Sequence, residues 1–232
     1  MHLFYCPDIT GTAYTLSEEE SKHCIRVLRL KQGGTIHITD GRGNTHECRI
    51  TGDHPKRCAV DIVSTISTPA RSSGHLHIAI APTKNTERFE WFLEKATEIG
   101  IDEITPLFCQ HSERTVLKLP RLEKVMASAM KQSLKSWLPQ LREPREFADL
   151  ITAGFSGQKF IAYCETGKEQ HLKALLKPGT DTIILIGPEG DFAPSEIETA
   201  VSNGFIPVSL GSSRLRTETA GVVACTIFNF LP

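Results

Sequence analysis

From residue 74 onward, short apolar runs alternate with amphipathic helical patterns. This rhythm leaves few architectures open to the chain. The runs cover residues 76–81, 104–109, 160–164, 182–187 and 206–210. Between them, Phe89, Phe92, Leu93, Ala96 and Ile99 fall on one helical face, which Gly100 ends. Leu122, Val125, Met126, Ala129 and Met130 form a second stripe, with Pro139 beyond it. Pro194 opens a third helix that Asn203 and Gly204 close, and Ala220, Val223, Ala224, Ile227 and Leu231 mark the last. Strands and helices in alternation predict an α/β domain with a mainly parallel sheet covered on both faces. Such sheets take ligands beyond the carboxyl ends of their strands.

The front of the chain reads differently. Residues 35–39, 46–51 and 57–66 are strand-like, and Asp40-Gly41-Arg42-Gly43-Asn44 is a hairpin loop. One helix interrupts them. Ser17 with Glu20 three residues on makes a capping box, and Gly33-Gly34 follows the far end. The pattern predicts a small β-barrel. Residues 67–74 have linker chemistry. We therefore expect two domains, 1–70 and 74–232. The length of 232 residues allows this at roughly 150 residues per domain.

Composition narrows the function. With 40% hydrophobic and 23% charged residues the chain is of globular type, and a net charge of −1 excludes a generic basic coat for nucleic acid. Any nucleic-acid contact must come from a local patch. No apolar run approaches the roughly 20 residues of a membrane span, so no membrane association is expected. The first eight residues have no basic stretch leading into an apolar core, so no signal peptide is expected. Seven cysteines are scattered at 6, 24, 48, 58, 109, 164 and 225 without a C-x-x-C pair, which suits reduced thiols in the cytoplasm. His75 and His77 share one side of a strand. No third ligand is in register, so no metal site is expected.

Two loops follow the last two strand-like runs, where an α/β sheet puts its chemistry. The first is Ile186-Gly187-Pro188-Glu189-Gly190-Asp191-Phe192, and the second runs from Leu210-Gly211 through Arg214, Leu215 and Arg216 to Glu218, Thr219 and Ala220. Glycines there let backbone approach a ligand closely. The usual nucleotide loops, G-x-G-x-x-G and G-x-x-x-x-G-K-[ST], are absent, as is a G-x-S-x-G elbow. One stretch is basic. Between Arg114 and Arg142 seven basic residues, among them Arg121, Lys131 and Lys135, face the single acid Glu123. Such a field suits contact with phosphate. A second basic cluster comprises Lys22, His23, Arg26, Arg29 and Lys31, partly offset by residues 18–20.

These loops carry a resemblance. Gly187-Pro188-Glu189-Gly190 before an aromatic, then Leu210-Gly211 leading to Leu215-Arg216-Thr217-Glu218-Thr219-Ala220, resemble the RsmE-type ribosomal RNA methyltransferases of the SPOUT class. Lys84, residues 94–100 and Ser112-Glu113-Arg114 look like the family's second block, and Gln132-Ser133 with Pro139 its third. His23 with Val27-Leu28-Arg29, then Gly33, Asp40-Gly41 and Gly43, fit its N-terminal domain. The likeness spans nearly the whole chain. It departs where many members have Gly at Asp191, Ser at Ala193, Pro-Arg-(Ile/Val) at Ser212-Ser213-Arg214, and Arg at Lys135.

The resemblance implies an N-terminal PUA-like β-barrel that binds RNA and a C-terminal SPOUT domain tied in a trefoil knot. It also implies a homodimer with its sites near the subunit interface. The implied reaction moves a methyl group from S-adenosylmethionine to N3 of one uridine in 16S rRNA of the 30S subunit. It places the donor on Ile186, Gly187, Glu189, Gly190, Leu210, Gly211, Leu215, Arg216, Thr219 and Ala220. Arg216, then Arg214, would balance the charge that develops on the base. Glu189 and Glu218 are the candidate proton acceptors, and either would otherwise hold a loop or an arginine. RNA would meet Lys22, His23, Arg26, Arg29, Lys84, Arg114, Arg121, Lys131 and Lys135. Two other readings stay open: a SPOUT enzyme acting on a ribose 2′-oxygen or another base, and a non-catalytic RNA-binding factor in ribosome assembly.

Overall fold

The computed structural model describes residues 2–71, 74–163 and 170–230. The chain divides into two compact units, one of Met1–Ala70 with Met130–Leu138 and one of Arg71–Ala129 with Pro139–Pro232.

In the first unit, strands β1 (Leu3–Tyr5), β2 (Ala13–Thr15), β3 (Thr35–Thr39), β4 (Asn44–His54) and β5 (Arg57–Ser67) pair in the order β1-β3-β4-β5-β2. Only β1 with β3 is parallel. Alternate residues turn inward: Ile36 and Ile38, Cys48 and Ile50, Cys58 and Val60 close one core with Phe4 and Leu16. The expected closed barrel is corrected here. The path of strands is open, and its end strands β1 and β2 each pair with one inner neighbour, not with each other. Alternation in a sequence marks the buried face of a strand, but it carries no information about closure.

The hairpin loop forms as its residues require. The Asp40 carboxylate accepts from Arg42 N at 2.8 Å, Asn44 N at 3.1 Å and Asn44 Nδ2 at 2.7 Å. Burial alone would raise its pKa, but these hydrogen bonds outweigh burial and hold it below the usual carboxylate range. Helix α1 (Glu18–Lys22) runs on into a π-helical turn, His23–Val27. Ser17 Oγ caps it, accepting from Glu20 N at 3.2 Å. The Glu20 carboxylate takes Lys131 Nζ at 2.7 Å, so the capping box is only half made. The segment Met130–Leu138 runs along the hairpin loop: Gly43 N donates to Ser136 O, Leu138 N to Gly41 O, and Trp137 Nε1 to Thr68 O.

The second unit is an all-parallel sheet. Its strands are β6 (Leu76–Ile80), β7 (Glu103–Phe108), β8 (Gln140–Leu141), β9 (Arg145–Glu146), β10 (Gln158–Ala162), β11 (Thr182–Ile186) and β12 (Ile206–Val208). They run in the order β12-β10-β11-β6-β7-β8, with β9 beside β7. All five expected strands are found. Cys164, at the end of one expected run, lies outside the described residues, as do Ser72 and Ser73 of the linker and Leu231 of the last stripe. Every residue of β6 and β11 is buried, as a central strand covered on both faces demands.

The helices are α2 (Thr86–Ile99), α3 (Leu119–Gln132), α4 (Phe147–Thr152), α5 (Leu172–Leu175), α6 (Pro194–Ser202) and α7 (Thr217–Asn229). On one face of the sheet Ala79, Ile161, Ile183 and Leu185 pack with Phe147 of α4 and Ala200 of α6. On the other, α7 lies against α2, β6 and β11. Asn229 Nδ2 donates to Gly100 O at 2.9 Å and ties the end of α7 to the end of α2. Gly221 makes the close approach possible, since a Cβ there would stand 2.6 Å from Phe92 Cε2 and 2.9 Å from Ile80 Cδ1.

Two stability predictions follow from this packing. Gly221→Ala gains about 1 kcal/mol of helix propensity. Overpacking against the fully buried Phe92 and Ile80 costs typically about 1–3 kcal/mol, so a net loss is expected in urea unfolding. A variant more stable than wild type would show that α7 does not seat as described. The second concerns His77, whose Nε2 lies 2.8 Å from Thr105 Oγ1. Burial lowers its pKa from 6.5 to about 4, against the pull of Glu103. Between these values the unfolded chain binds more protons, so stability contributed by neutral His77 is full above pH 6.5 and is lost as pH falls. The loss between pH 7 and 4.5 should be smaller in His77→Gln by about 2–3 kcal/mol. Equal losses in the two proteins would rule His77 out as the titrating group.

Candidate active site

The site is built where strands end. β11 stops at Ile186, whose carbonyl accepts from Ala81 N at 2.9 Å, and the chain then turns through the first glycine loop. A side chain at Gly187 would crowd the Phe192 ring, with a Cβ 3.0 Å from it, so the ring would have to give way. Phe192 is buried and packs on Phe147, with ring centroids 5.8 Å apart. Asp191 N donates to Pro188 O at 2.9 Å and closes the turn. Asp191 itself has φ +63, the left-handed region that glycine adopts freely and aspartate tolerates. Its own Oδ1 accepts from Phe192 N at 2.8 Å. Ala193 offers no side-chain cap to α6, and Glu196 supplies the carboxylate in its place. Glu196 Oε2 accepts from Ala193 N at 2.8 Å and Oε1 from Gln110 N at 2.9 Å.

The second loop leaves β12 through Ser209, whose Oγ accepts from Gly211 N at 3.1 Å. Gly211 has φ +142, and apart from its own chain neighbours no atom of the described residues lies within 4 Å of where its Cβ would be. Leu210 and Leu215 are half-buried, Arg214 and Arg216 are exposed, and Arg216 is the N-cap residue of α7. The first turn of α7 then goes inside. Thr217 Oγ1 donates to Gly187 O at 3.0 Å, which fastens the second loop to the first. Glu218 is buried. Its Oε1 is 3.9 Å from Arg88 Nε on α2, and its Oε2 is buried with no hydrogen-bond partner. Thr219 and Ala220 follow, half-buried. Glu189 and Gly190 lie on the first loop. Glu189 Oε1 accepts from Lys84 N at 3.0 Å, and Gly190 passes His111 so closely that a Cβ would be 3.2 Å from the His111 Cβ.

The structure thus brings Gly187 and the start of α7 together and leaves one buried carboxylate oxygen unsatisfied. An unpaired buried oxygen of this kind costs on the order of 1–3 kcal/mol or more, and a bound donor group would remove that cost. Arg88, Thr217 and His111 were not read from the sequence. Thr217 stands inside the recognised motif, and its position at a helix start was the available signal. Arg88 and His111 carried none.

The expected RNA-binding residues are divided between the units. Lys22, His23, Arg26, Arg29, Lys131 and Lys135 belong to the first, and Lys84, Arg114 and Arg121 to the second. Arg26 and Arg29 are exposed. Several of the others meet protein partners: Lys22 pairs with Glu18 at 2.6 Å, Lys131 with Glu20 at 2.7 Å, and Arg121 Nη2 with Glu90 Oε2 at 3.0 Å. Among the described residues no three His, Cys, Asp or Glu side chains gather into a group that holds a metal.

Comparison with known proteins places the chain in a family. The RNA methyltransferase domain family matches residues 70–229, and the RNA methyltransferase PUA domain family matches residues 16–63. Ribosomal RNA small subunit methyltransferase E of Synechocystis sp. is 30% identical over 232 residues, covering 96% of this chain and 75% of that protein. The protein of the same name from Buchnera aphidicola is 29% identical over 219 residues, covering 92% and 86%. Among solved structures, a probable rRNA-methyltransferase from Porphyromonas gingivalis superposes with a TM-score of 0.94 at 43% identity, covering 100% of this chain and 98% of that one. A ribosomal RNA small subunit methyltransferase E from Neisseria gonorrhoeae, bound to S-adenosyl methionine, gives 0.86 at 26% identity, covering 97% and 95%. The chain belongs to the RNA methyltransferase family, among the proteins named ribosomal RNA small subunit methyltransferase E.

Proposed function

We propose that the protein methylates N3 of a uridine in 16S rRNA of the small ribosomal subunit, with S-adenosylmethionine as donor. The observation that carries the reading is the Thr217–Gly187 hydrogen bond, which joins both glycine loops beside the unpartnered Glu218 oxygen. The residues fit the donor. Open space over Gly211 admits a ligand, and Leu210 and Leu215 offer apolar surface. Backbone of Ile186, Gly187, Gly190 and Leu210 would hold its polar edges, with Thr219 and Ala220 at the helix start. When bound, S-adenosylmethionine supplies an electrophilic methyl group on a sulfonium centre.

The chain's part is placement and charge management. Uridine N3 carries a proton and lies on the pairing edge, so the base must be unpaired or turned out to be reached. Glu218 is favoured over Glu189 as the proton acceptor, because Glu189 already holds the Lys84 N–H while Glu218 Oε2 has no partner. Loss of the proton spreads negative charge onto O2 and O4. The exposed guanidinium of Arg216, with Arg214 behind it, would stabilise that charge as it develops. Arg26 and Arg29, exposed in the first unit, suit phosphate contact.

The proposal includes three further features of the family. A trefoil knot is carried over from the likeness to the family alone. A homodimer is supported by Phe230 at the end of α7 and Trp91 on α2, both large and exposed. Work on ribosomes in the cytoplasm follows from the proposed rRNA substrate.

Incubation with labelled donor and unmodified 30S particles should yield 3-methyluridine by nucleoside mass spectrometry. Label on a ribose would replace this reading with a 2′-O-methyltransferase, and no donor binding at all would leave a non-catalytic assembly factor. Gly211→Arg fills the open space over the second loop. It should weaken donor binding in calorimetry by at least about 100-fold while circular dichroism stays unchanged, as a loss of the order of 3 kcal/mol implies. Undiminished binding would remove the second loop from the donor site.

A further inference from the structure

We infer that Arg114 is a positioning residue for the donor loop, acting through the backbone of Lys84 on Glu189, an inference that rests on the donor site proposed above. The resemblance gives Arg114 to RNA as one more cation. Its guanidinium is instead turned onto the protein. Nε and Nη2 both donate to the Lys84 carbonyl, at 3.1 and 2.8 Å. The preceding residue, Glu113, takes the other end of the same lysine, with Oε2 2.8 Å from Lys84 Nζ. Residues 113 and 114 therefore grip Lys84 by its carbonyl and its ammonium together. With Lys84 fixed, its N–H donates to Glu189 Oε1 at 3.0 Å.

Three loops meet in this chain of contacts, those that follow β6, β7 and β11. The post-β7 loop supports the donor loop elsewhere as well. His111 Nδ1 donates to Asp191 O at 3.0 Å, and Gln110 N donates to Glu196 Oε1 at 2.9 Å. The post-β6 loop is braced on its far side, where Thr83 Oγ1 donates to Asn85 O at 2.7 Å and Asn85 Oδ1 accepts from Glu87 N at 2.9 Å. Little slack remains between Arg114 and Glu189. A planar guanidinium converges two N–H groups on one oxygen in a fixed plane, which an ammonium cannot copy. A phosphate contact, by contrast, shows in the salt dependence of RNA binding and not in donor affinity.

That difference sets the experiment. Arg114→Lys, Arg114→Gln, Glu189→Ala and the Arg114→Lys/Glu189→Ala pair are compared for S-adenosylmethionine affinity by calorimetry. Their kcat and their KM for 30S particles are measured across a salt series. Both Arg114 variants should bind donor about tenfold more weakly, the scale of one hydrogen bond with a charged partner, and should lose kcat without a change in the salt slope of KM. The double variant should bind donor no more weakly than Glu189→Ala alone, because both substitutions break one chain of contacts. Full donor affinity in Arg114→Lys, or a salt slope reduced by about one in Arg114→Gln, would make Arg114 a phosphate contact and overturn the inference. Additive losses in the double variant would overturn the path through Glu189. Wild-type protein that binds no donor would overturn the donor site itself, a result distinct from either.

Discussion

The direction of the strands governs the rest of this structure. In an all-parallel sheet each connection must carry the chain back to the end where it started, so the loops that follow strands all emerge at one end. Here β6, β7, β11 and β12 end at Ile80, Phe108, Ile186 and Val208. Lys84, Arg114 and Glu189 come from the loops that follow the first three, and Arg216 and Glu218 from the end of the loop after β12. Residues more than a hundred positions apart become neighbours without any local signal linking them. The strand interiors have no capacity for chemistry, since all five positions of β6 and of β11 are buried between two layers of helices. Polar groups that do work must sit at the strand ends. The Thr217–Gly187 hydrogen bond adds the remaining condition by holding the last helix against the first loop.

Where sequence and structure agree, one physical signal was enough. The strands β6, β7, β10 and β11 and the helices beginning at Thr86 and Leu119 were legible because each buries a continuous run or a stripe of 3.6-residue period, whereas β12 buries only Val208 and α7 buries Thr217, Glu218, Gly221, Ala224 and Cys225, a face that shares only Ala224 with the expected stripe. The hairpin loop was legible because Asp40 and Asn44 make their hydrogen bonds within the loop. What escaped lacks such a signal. β8 and β9 have two residues each, and β1 and β2 three, too few for any alternation to show. Helices α4 and α5 are a turn or two long. The grouping of Met130–Leu138 with the first unit depends on Gly43, Gly41 and Thr68 meeting Ser136, Trp137 and Leu138, contacts made about 70 to 100 residues apart. That loops follow β11 and β12 at these residues was legible, but the partner of each side chain was not.

Charge shows the same limit. Counted along the chain, the stretch from Arg114 to Arg142 is a strong positive field. In the fold, Arg121 meets Glu90, Lys131 meets Glu20, and Arg142 meets Glu103 at 2.9 Å. All three acids lie outside the stretch, so a local count could not include them. The two pairs with an exposed arginine, Arg121–Glu90 and Arg142–Glu103, contribute at most about 1 kcal/mol each. They still cancel the local field that a polyanion would feel. A basic segment is evidence for nucleic-acid contact only after its tertiary partners have been subtracted, and on that footing Arg26 and Arg29 are better candidates than most of the stretch.

The departures from the family pattern show how a motif persists when its letters change. The position of Asp191 needs φ near +63, and glycine is the residue that meets this with least strain. Aspartate meets it too, because its short carboxylate accepts from the next N–H and lowers the strain of the turn. Where a serine cap is absent at Ala193, Glu196 accepts from the Ala193 N–H and the start of the helix keeps a side-chain acceptor. In both cases a side chain of this chain holds the backbone path: the Asp191 carboxylate at the turn and the Glu196 carboxylate at the helix start. The same logic applies to the donor loop as a whole. Ile186, Gly187, Gly190 and Leu210 enter the proposed site through main-chain atoms, so their side chains report what packs behind the loop and not what the loop binds. The groups whose chemistry must be read from the side chain are few: Glu189, Arg216 and Glu218. Of these, only Glu218 keeps a buried oxygen with no hydrogen-bond partner among the described residues.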